Sequence, residues 1–392
     1  MSQKRKIKQR KKRQQRQRKL LLIRRILTII LIILCIFAAA IAIKKYVIPF
    51  FEKSNEETDV NKESENHTII RDLFLEEEEP FEPISITVSS MGDCTIGRDV
   101  HNVYSRSLNG YYDAHGADYF FKNVRDILEA DDLSIINFEG TFTESESRMD
   151  KTYAFKAPPE YVKILTGSSI EAANIANNHS KDYGEQSQKD TIATLEDAGI
   201  VNFGYERVQI MEINGIKVGL TGIYELAEGL GKQTEVKSNI AKLKEQGAQL
   251  IIVNFHWGIE REYIPNNTQK TLARLAIDEG ADLVIGHHPH VLQGIEKYKG
   301  KYIAYSLGNF CFGGNMNPGD KDTMIFQQTF TFGEEGLILD DEINIIPCRL
   351  SSVTDKNDYC PTPLEGSEKE RIMDKLEKYS EGLTVQPEPD GE

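Results

Sequence analysis

The sequence predicts a layered α/β domain with mixed sheets, preceded by one transmembrane helix. Three observations support this fold class: an apolar run of 18 residues near the N-terminus, strand-like segments that alternate with helical segments from residue 84 onward, and consecutive strand-like segments near the C-terminus. Alternating strands and helices are typical of parallel sheets covered by helices, and consecutive strands add antiparallel pairs. About 270 residues in one region are ample for a single hydrophobic core.

The apolar run at residues 26–43 predicts the transmembrane helix. Its only ordinary polar residue is Thr28, and at about 1.5 Å per residue the run spans roughly 27 Å, close to the hydrocarbon thickness of a bilayer. Thirteen Lys and Arg residues precede the run, with no acidic residue among them. By the positive-inside rule, we expect a basic cytoplasmic tail at residues 1–25 and an extracellular main domain in a single-pass protein of the cell membrane.

A cleaved signal peptide is the alternative interpretation, with Ala40-Ile41-Ala42 as the cleavage site. The length of the run and the two lysines that follow it favour an uncleaved anchor at residues 26–45. A basic tail beside a membrane is typical of a topology signal that also contacts anionic lipid headgroups, rather than of a nucleic-acid-binding segment.

Charge is divided unevenly along the chain. Fifteen of the 47 Lys and Arg residues precede residue 46, whereas all 61 Asp and Glu residues follow it, so that residues 46–392 have a formal net charge of −29. Such a surface repels polyanions, and we expect no nucleic-acid partner. Residues 46–83 are predicted to form an acidic flexible stalk, and residues 381–392 a disordered C-terminal tail.

Periodicity places the folded domain at residues 84–380. Strands are predicted at residues 84–90, 133–138, 170–176, 209–213, 216–224, 249–255, 281–285, around Tyr298, at 302–306 and in a β-rich end at 323–346. Helices are predicted at residues 119–129, 161–165, 187–198, 236–246, 268–279 and 368–379. Five cysteines are too few for a disulfide scaffold, although Cys348 and Cys360 are close enough in sequence to pair.

Polar residues recur just beyond the ends of the predicted strands. Open α/β sheets bind their ligands at this edge. One such residue alone is typical of a helix cap or a structural hydrogen bond. Here the five histidines from residue 179 onward all fall at such ends, together with carboxylates and amides. The set comprises Asp93, Asn137, Glu139, Asn177, Asn178, His179, His256, His287, His288, His290 and Asn309.

Carboxylate, amide oxygen and imidazole together suit a borderline or hard divalent ion. The sequence therefore predicts one or two divalent metal ions, with Mn²⁺, Zn²⁺ and Fe²⁺ as the candidates. No set of thiolates with zinc-ribbon spacing exists in the chain, which excludes a structural four-cysteine zinc site.

Six ordered motifs resemble those of the CapA (PgsA) capsule-synthesis family, over roughly residues 84–380. They are Met91-Gly92-Asp93 through Arg98, Asn137-Phe138-Glu139, Asn177-Asn178-His179 with Asp182 and Gly184, His256-Trp257-Gly258, Gly286-His287-His288-Pro289-His290, and Tyr305-Ser306-Leu307-Gly308-Asn309-Phe310. That family is similar to the calcineurin-like metallophosphoesterases, so the resemblance implies a four-layer α/β/β/α sandwich with mixed sheets.

The resemblance also implies roles for individual residues. Glu139 holds the position of a carboxylate that bridges two metals. Asn178, His256 and His288 complete the ligands of one metal, and Asp93 and His290 those of the other. Two such cations polarise a phosphoryl oxygen and acidify a bridging water.

Three further roles follow from the same resemblance. His179 is the expected general acid, or the group that stabilises the charged transition state. Arg98 is expected to hold an anionic group of the substrate, and Asn309 to line the pocket. His287 does not fit the metal pattern and is expected beside the site, whereas Glu260 and Glu262 are expected on the plain surface.

One residue departs from the metallophosphoesterase pattern. Those proteins have a histidine two residues after the first aspartate, and here that position is Thr95. The first metal position therefore lacks a ligand, and a carboxylate of glutamate replaces the usual bridging aspartate. Two bound metals, one tight and one weak metal, and a site that binds without turnover all remain open.

The resemblance implies a membrane-anchored extracellular subunit of capsule or poly-γ-glutamate synthesis or export. Its expected partners are the membrane, polymer-synthase membrane subunits, and the anionic polymer or a wall substrate. Two alternatives stay open: a metal-dependent hydrolase of the phosphoesterase type that acts on a cell-wall substrate, and a scaffold or binding module without catalysis.

Overall fold

The computed structural model describes residues 81–383. The predicted basic tail (1–25), the transmembrane helix (26–45), nearly all of the stalk (46–83) and most of the C-terminal tail lie outside the described residues. Within the described part, no helix combines the length and apolar character needed to cross a bilayer.

The strands of the described part form two large sheets and one small one. In chain order they are β1 (Ile84–Thr95), β2 (Leu133–Glu139), β3 (Thr141–Phe142), β4 (Lys156–Ala157), β5 (Ala172–Asn174), β6 (Val201–Phe203), β7 (Gln209–Ile213), β8 (Ile216–Tyr224), β9 (Leu250–His256), β10 (Leu283–His287), β11 (Ile295–Tyr298), β12 (Lys301–Ala304), β13 (Asn309–Phe312), β14 (Asp322–Gly333), β15 (Gly336–Arg349) and β16 (Thr362–Pro363).

Both large sheets are mixed, as the sequence predicts. The first sheet has the order β16-β15-β14-β1-β2-β5-β6, with β13 also paired to β1, and the second has the order β11-β12-β10-β9-β8-β7. In the first sheet, β1 runs parallel to β2 and β13 but antiparallel to β14. In the second, β8, β9, β10 and β12 are parallel, and antiparallel strands β7 and β11 lie at its edges.

Helices connect and cover the strands. The α-helices are α1 (Leu108–His115), α2 (Arg125–Leu128), α3 (Lys163–Thr166), α4 (Gly184–Asp197), α5 (Gln233–Glu245), α6 (Asn267–Asp278) and α7 (Gly366–Ser380). Short 3₁₀ turns lie at Tyr104–Arg106, Ala117–Tyr119, Pro159–Val162 and Gly229–Lys232. The best-capped of these helices is α6, where Asn266 and Gln269 form a reciprocal capping box.

Alternating side chains explain why the central strands are apolar on both faces. In β9, Leu250 and Ile252 face the core between the two sheets, whereas Ile251 and Val253 face a second core beneath α5 and α6. In β2, Leu133 shares the core between the sheets, and Ile136 faces the core beneath the helices of the first sheet. The layers are therefore helix, sheet, sheet and helix, and strands buried on both faces read as continuous apolar runs.

Some predicted elements differ from the structure. The helix predicted at residues 119–129 is wrong: the segment is mostly turns, with a single α-helical turn at Arg125–Leu128. Its apolar residues Phe120, Phe121 and Val124 are all buried. Successive turns therefore place core residues at the same spacing in the sequence as a helix does. Helix α1, capped by Ser107, was not predicted, since Asn, Gly and Tyr within it are weak helix formers.

The cysteines of the described part are all free and buried. They are Cys94, Cys311, Cys348 and Cys360. Cys348 lies in β15, and the Cys360 thiol donates to the Tyr119 carbonyl oxygen. The pairing that sequence proximity allowed is therefore not formed.

Candidate metal centre

The register of the strands brings the predicted donor residues to one edge. In the first sheet, Asp93 lies opposite both Asn137 and Asn309, and Thr95 lies opposite Glu139. In the second sheet His287 lies opposite His256, where β9 and β10 end. Because parallel strands of both sheets end at the same edge, residues more than 190 positions apart in sequence become neighbours.

Close backbone approach shapes this edge at Gly92. A Cβ atom there would lie 2.1 Å from the Gly308 carbonyl oxygen, and the neighbouring amide of Asp93 donates to that same oxygen at 2.9 Å. Gly308 itself has a φ of 72°. Glycine at both positions therefore lets β1 approach the turn before β13, and this approach places Asn309 beside Asp93.

Asn137 connects the donors of the two sheets. Its amide nitrogen donates to Asp93 Oδ1 at 2.8 Å and lies 3.2 Å from His256 Nδ1. The Asn174 amide donates to the Asn137 oxygen at 3.0 Å, which fixes the orientation of the Asn137 amide. His256 Nδ1 therefore accepts, its proton lies on Nε2, and Nε2 faces Asn178 Oδ1 at 2.9 Å.

Asp93, which is buried, and His290, whose side chain is 18% exposed to the cavity, form an ion pair. His290 Nδ1 lies 3.0 Å from Asp93 Oδ2 and 2.9 Å from Asn309 Oδ1. Burial alone would lower the pKa of His290, but the charge of Glu139 and the hydrogen bond to Asp93 raise it to about 9. Burial would likewise raise the pKa of Asp93, but His290 lowers it. Without a metal, a proton on His290 balances the Asp93 charge.

Glu139 is fully buried and only half satisfied. Thr95 Oγ1 donates to its Oε2 at 3.0 Å, whereas its Oε1 has no hydrogen-bond partner among the described residues and lies 3.7 Å from His256 Nε2. Burial, followed by the negative charge of Asp93, raises the pKa of Glu139 to about 8. A buried carboxylate oxygen without a partner is costly, and a cation beside it would remove the cost.

The other imidazoles are neutral at pH 7. Burial lowers the pKa of both His287 and His288 to about 4. Burial, followed by the charge of His288, lowers the pKa of His256 well below its usual range. Neutral imidazoles keep the lone pair that a metal requires.

Backbone strain is concentrated in the segment that carries His288 and His290. Both residues have positive φ, at 94° and 57°. L-residues rarely adopt this region, and such strain is typical of functional sites. His288 is 6% exposed, and its Nδ1 has no hydrogen-bond partner among the described residues. Its nearest ring is that of His256, with centroids 4.8 Å apart.

The residues at this edge fit a divalent metal. The ligand atoms of Asp93, Glu139 and His290 all lie within 4.8 Å of one another, and so do those of Glu260, His288 and His290. The unpartnered Glu139 Oε1 and His288 Nδ1 add two buried lone pairs. Mixed oxygen and nitrogen donors of this kind favour Mn²⁺, Fe²⁺ or Zn²⁺.

His179 lies beside these donors with its own support. Its Nδ1 is 2.8 Å from Asp182 Oδ2 and 3.4 Å from Lys151 Nζ, and its ring packs against Phe155 with centroids 4.6 Å apart. Burial lowers the pKa of His179 despite the Asp182 carboxylate. The carboxylate on Nδ1 leaves Nε2 to exchange a proton with a bound molecule.

An open cavity of about 520 Å³ lies over the donors. Glu139, His179, His290 and Asn309 contribute to its wall. The rest of the wall comprises Asn102, Tyr153, Phe155, Glu260, Arg261, Tyr263, Val291, Phe312, Gly314, Asn315, Met316, Pro318, Gly319 and Asp320.

Arg98 is not among the residues of the cavity wall. Its guanidinium donates to the carbonyl oxygens of Asp99, Val100 and Asn102 and lies over the Tyr104 ring. The structure thus gives Arg98 a role in holding a loop, and the expected contact with an anionic substrate stays a prediction. His287 is 1% exposed and bonds Asn254 through Nε2, which places it behind the site, away from the cavity.

The sequence did not point to two residues of the cavity wall, Glu260 and Arg261, as residues of the site. Glu260, which was expected on the plain surface, is exposed, and its carboxylate also belongs to a candidate ligand group. Arg261 is the single Lys or Arg among the residues that line this cavity, and its side chain has no ion pair within the described part of the chain. Their position directly after His256-Trp257-Gly258 was the available signal.

Fold and site together define the class of this molecule. It is a two-sheet α/β protein that gathers carboxylates and imidazoles at the carboxyl ends of its strands, and Glu139, His179 and His290 among them line one cavity. The model of the family described as bacterial capsule synthesis protein PGA_cap matches residues 87–314, more than half of the chain. The chain belongs to this family.

Curated relatives agree with this assignment. The chain is 34% identical over 252 residues to the PGA biosynthesis protein CapA of Bacillus subtilis (strain 168), a match that covers 58% of this chain and 63% of the relative. It is 32% identical over 253 residues to the capsule biosynthesis protein CapA of Bacillus anthracis, which covers 58% and 60%. The matched region thus spans somewhat less than two thirds of each relative.

Among solved structures, the 5'-nucleotidase of Candida albicans SC5314 is similar to this chain at a TM-score of 0.41 and 10% identity. That match covers 78% of this chain and 58% of the nucleotidase.

Proposed function

We propose that this protein is a membrane-anchored extracellular subunit of poly-γ-glutamate capsule synthesis or export, and that its site uses divalent metal to act on the anionic polymer. The relatives named for PGA and capsule biosynthesis support the process. The basic tail and the apolar run at residues 26–43 support the anchor. The proposed metal site is supported by one observation: Asp93, Glu139 and His290 converge under an open cavity.

The metal would be held by the residues that the sequence singled out. Asp93, Glu139 and His290 would form one set, and His256, His288 and Asn178 would form another. Without metal, His256 holds its proton on Nε2, which lies 3.7 Å from Glu139 Oε1, so metal binding through this nitrogen would require His256 to give up that proton. Bound metal would supply Lewis acidity and an acidified water for attack on an acyl or phosphoryl centre.

His179 would handle the proton in this scheme. Asp182 holds its Nδ1 at 2.8 Å, and Lys151 braces the same carboxylate at 2.7 Å. The imidazole therefore has a fixed ring orientation, with its single proton on Nδ1 in the neutral form. Its Nε2 would take a proton from the bound water or substrate and then give that proton to the leaving group.

An acidic domain must overcome repulsion to bind polyglutamate. Arg261 supplies one positive charge at the cavity wall, and bound metal would supply more. Tyr153, 59% exposed, and Tyr263 give the same wall apolar surface against which a polymer backbone can pack. The same wall carries Glu139, Glu260 and Asp320, so the charge of bound metal, together with Arg261, would have to exceed that of these carboxylates for the polymer to bind.

The decisive experiment measures metal content and hydrolysis in the full-length protein and in a Glu139→Ala/His288→Ala double variant. We expect bound Mn²⁺, Zn²⁺ or Fe²⁺ in the wild type, and cleavage of a γ-glutamyl polymer or a model phosphodiester that the double variant loses. Circular dichroism of the variant controls for folding. If the wild-type protein binds no metal and cleaves neither compound with any divalent ion, the proposal that the site is catalytic is refuted.

A genetic experiment tests the polymer system separately. Deletion of the gene should reduce the amount or change the length of surface poly-γ-glutamate, and the Glu139→Ala/His288→Ala variant should fail to restore it. Surface polymer unchanged in amount and length after deletion would contradict the assignment to this system.

A hydrolase of a wall-associated phosphoester is the second candidate, and the His179–Asp182 pair beside the donors favours it. It predicts phosphodiester turnover that is lost on His256→Ala, with no change of surface polymer on gene deletion. A non-catalytic scaffold is the third candidate. Thr95 favours it, because this residue bonds Glu139 where the metallophosphoesterase pattern has a histidine ligand.

A further inference from the structure

Thr95 supplies no metal ligand to the candidate centre. Thr95 is fully buried, and its hydroxyl donates to Glu139 Oε2 at 3.0 Å. This hydrogen bond directs one carboxylate oxygen and leaves Oε1 without a partner among the described residues. Thr95 therefore positions a ligand instead of supplying one, and the centre is one donor short on this side.

Glu260 lies beside two of the candidate ligands, His288 and His290. Its carboxylate and the ring nitrogens of His288 and His290 lie within 4.8 Å of one another. Its negative charge also contributes to raising the pKa of His290. His290 belongs to this group and to the group with Asp93 and Glu139, so that the two groups join into one continuous set of donors.

Backbone contacts hold the loop of Glu260 against the histidine segment. The amide of Arg261 donates to the Pro289 carbonyl oxygen at 2.8 Å, and the amide of Trp257 donates to the His287 carbonyl oxygen at 3.1 Å. These two bonds bracket Glu260 on one side and His288 on the other. The backbone of the loop is thus fixed beside the histidine segment, and from there the exposed Glu260 side chain reaches the two imidazoles.

The turn that carries Glu260 also requires unusual backbone conformations. Gly258 has a φ of 79°, and a Cβ atom there would lie 2.8 Å from the Gln269 side chain. Arg261 has a φ of 66° without being glycine. The Gln293 side chain further donates to the Glu262 carbonyl oxygen at 2.7 Å. These contacts and the positive φ of Arg261 give the loop that carries Glu260 a defined conformation.

We propose that Glu260 is a metal ligand of this centre, acting with His288 and His290 and supplying the donor that Thr95 does not. The proposal rests on the proposed metal centre and adds a residue to it. An oxygen donor is a harder ligand than an imidazole nitrogen. With Glu260 as a ligand, the site should therefore favour Mn²⁺ or Fe²⁺ over Zn²⁺ more than a site with an imidazole at that position. A third carboxylate beside Asp93 and Glu139 also offsets more of the charge of two divalent ions.

The test is metal binding by the full-length protein, measured with Mn²⁺ and with Zn²⁺ by isothermal titration calorimetry and by the electron paramagnetic resonance of bound Mn²⁺. Glu260→Gln removes the charge and keeps the size. Glu262→Gln is the matched control, since it makes the same change two residues away in the same exposed loop and lies outside both ligand groups.

We expect Glu260→Gln to weaken Mn²⁺ binding at least about ten-fold, to weaken Zn²⁺ binding less, and to change the Mn²⁺ spectrum, while Glu262→Gln stays within about two-fold of the wild type. Glu139→Gln serves as the reference for the centre itself. If Glu139→Gln abolishes binding while Glu260→Gln binds as the wild type does, the role of Glu260 is refuted and the metal centre stands. If the wild type binds neither ion, both proposals fail.

Discussion

At the scale of single residues, this site is defined by buried groups that lack partners. Glu139 Oε1 and His288 Nδ1 are inaccessible and without hydrogen bonds among the described residues. Such atoms cost roughly 1–3 kcal/mol each, and the protein keeps them beside a protonated His290 and strained backbone. The protein thereby gives up stability to hold donors in place for an incoming cation.

The protons held at this site predict how the metal-free protein responds to pH. Glu139 has a pKa of about 8 in the folded protein against 4.5 when exposed, and His290 about 9 against 6.5. In each case the folded state keeps a proton that the unfolded state releases, so stability falls as pH rises from about 4.5 to about 8 through Glu139 and from about 6.5 to about 9 through His290, and both groups act between about 6.5 and 8. The groups with lowered pKa, such as His288, act below this range.

Urea unfolding in a chelator at several pH values in that range measures the effect. We expect Glu139→Gln to reduce the slope, by at most about 1.4 kcal/mol per pH unit for one proton. Added Mn²⁺ should replace the protons and raise stability most at the alkaline end. A slope that Glu139→Gln leaves unchanged would show that this carboxyl is already ionised at neutral pH.

Arg261 gives a second prediction at this scale. As the cation of the cavity wall, it should attract an anionic substrate, so Arg261→Gln should raise KM for a γ-glutamyl oligomer about ten-fold with kcat changed less. The effect should shrink as ionic strength rises. Lys189→Gln, an equal change of charge on the exposed face of α4, is the control. If the two variants have equal KM values, Arg261 does not contribute to substrate binding.

At the scale of elements, the site depends on how closely the two sheets approach. Gly222 in β8 lies against Asn174 in β5, and a Cβ atom at Gly222 would lie 2.0 Å from Asn174 Oδ1. Asn174 in turn bonds Asn137, which bonds Asp93 and contacts His256. One small residue in the second sheet thus permits a chain of amides that orients donors on both sheets.

Gly222→Ala should therefore displace Asn174 and destabilise the protein by about 1–3 kcal/mol, with weaker metal binding as a second consequence. Thermal unfolding with and without Mn²⁺ measures both. Gly231→Ala is the matched control, because a Cβ atom there meets no atom nearer than Glu228 Cβ at 3.8 Å. If Gly222→Ala unfolds like Gly231→Ala, the sheets are not in contact through Asn174.

At the scale of the whole molecule, we expect the negative charge of the main domain and the proposed membrane anchor to act together. The proposed anchor keeps a strongly acidic domain near the membrane and outside the cell, where cations and growing polymer are abundant. The residues that carry this proposal, 1–45, lie outside the described part of the chain.

Topology is testable in intact cells. A reporter fused at the C-terminus should be accessible to added protease, and one at the N-terminus should not. Replacing the Lys and Arg residues before position 26 with Gln should reduce correct orientation, because they set the topology. Release of the domain into the medium in place of retention in the membrane fraction would favour the cleaved signal peptide with Ala40-Ile41-Ala42.

Much of the fold was readable from local pattern. Strands β7 and β8 were predicted with the bounds that the structure has, since alternation and the Asn214-Gly215 turn are local signals. The helix predicted at residues 119–129 is wrong, because the spacing of apolar residues does not distinguish a helix from successive turns. Strand β13 was also not predicted as a strand, because its pairing partner β1 lies more than 200 residues earlier.

By itself, the sequence determined the mixed α/β class, the uneven charge and the set of chemical groups at the strand ends, because periodicity, composition and residue type are local properties. Only the tertiary structure decided which groups meet. It placed Asp93 beside His290, set Thr95 on Glu139, turned Arg98 toward its own loop and brought Glu260 to the histidines. Those outcomes depend on register, on glycine at close approaches and on the packing of two sheets, and all three arise from contacts between distant parts of the chain.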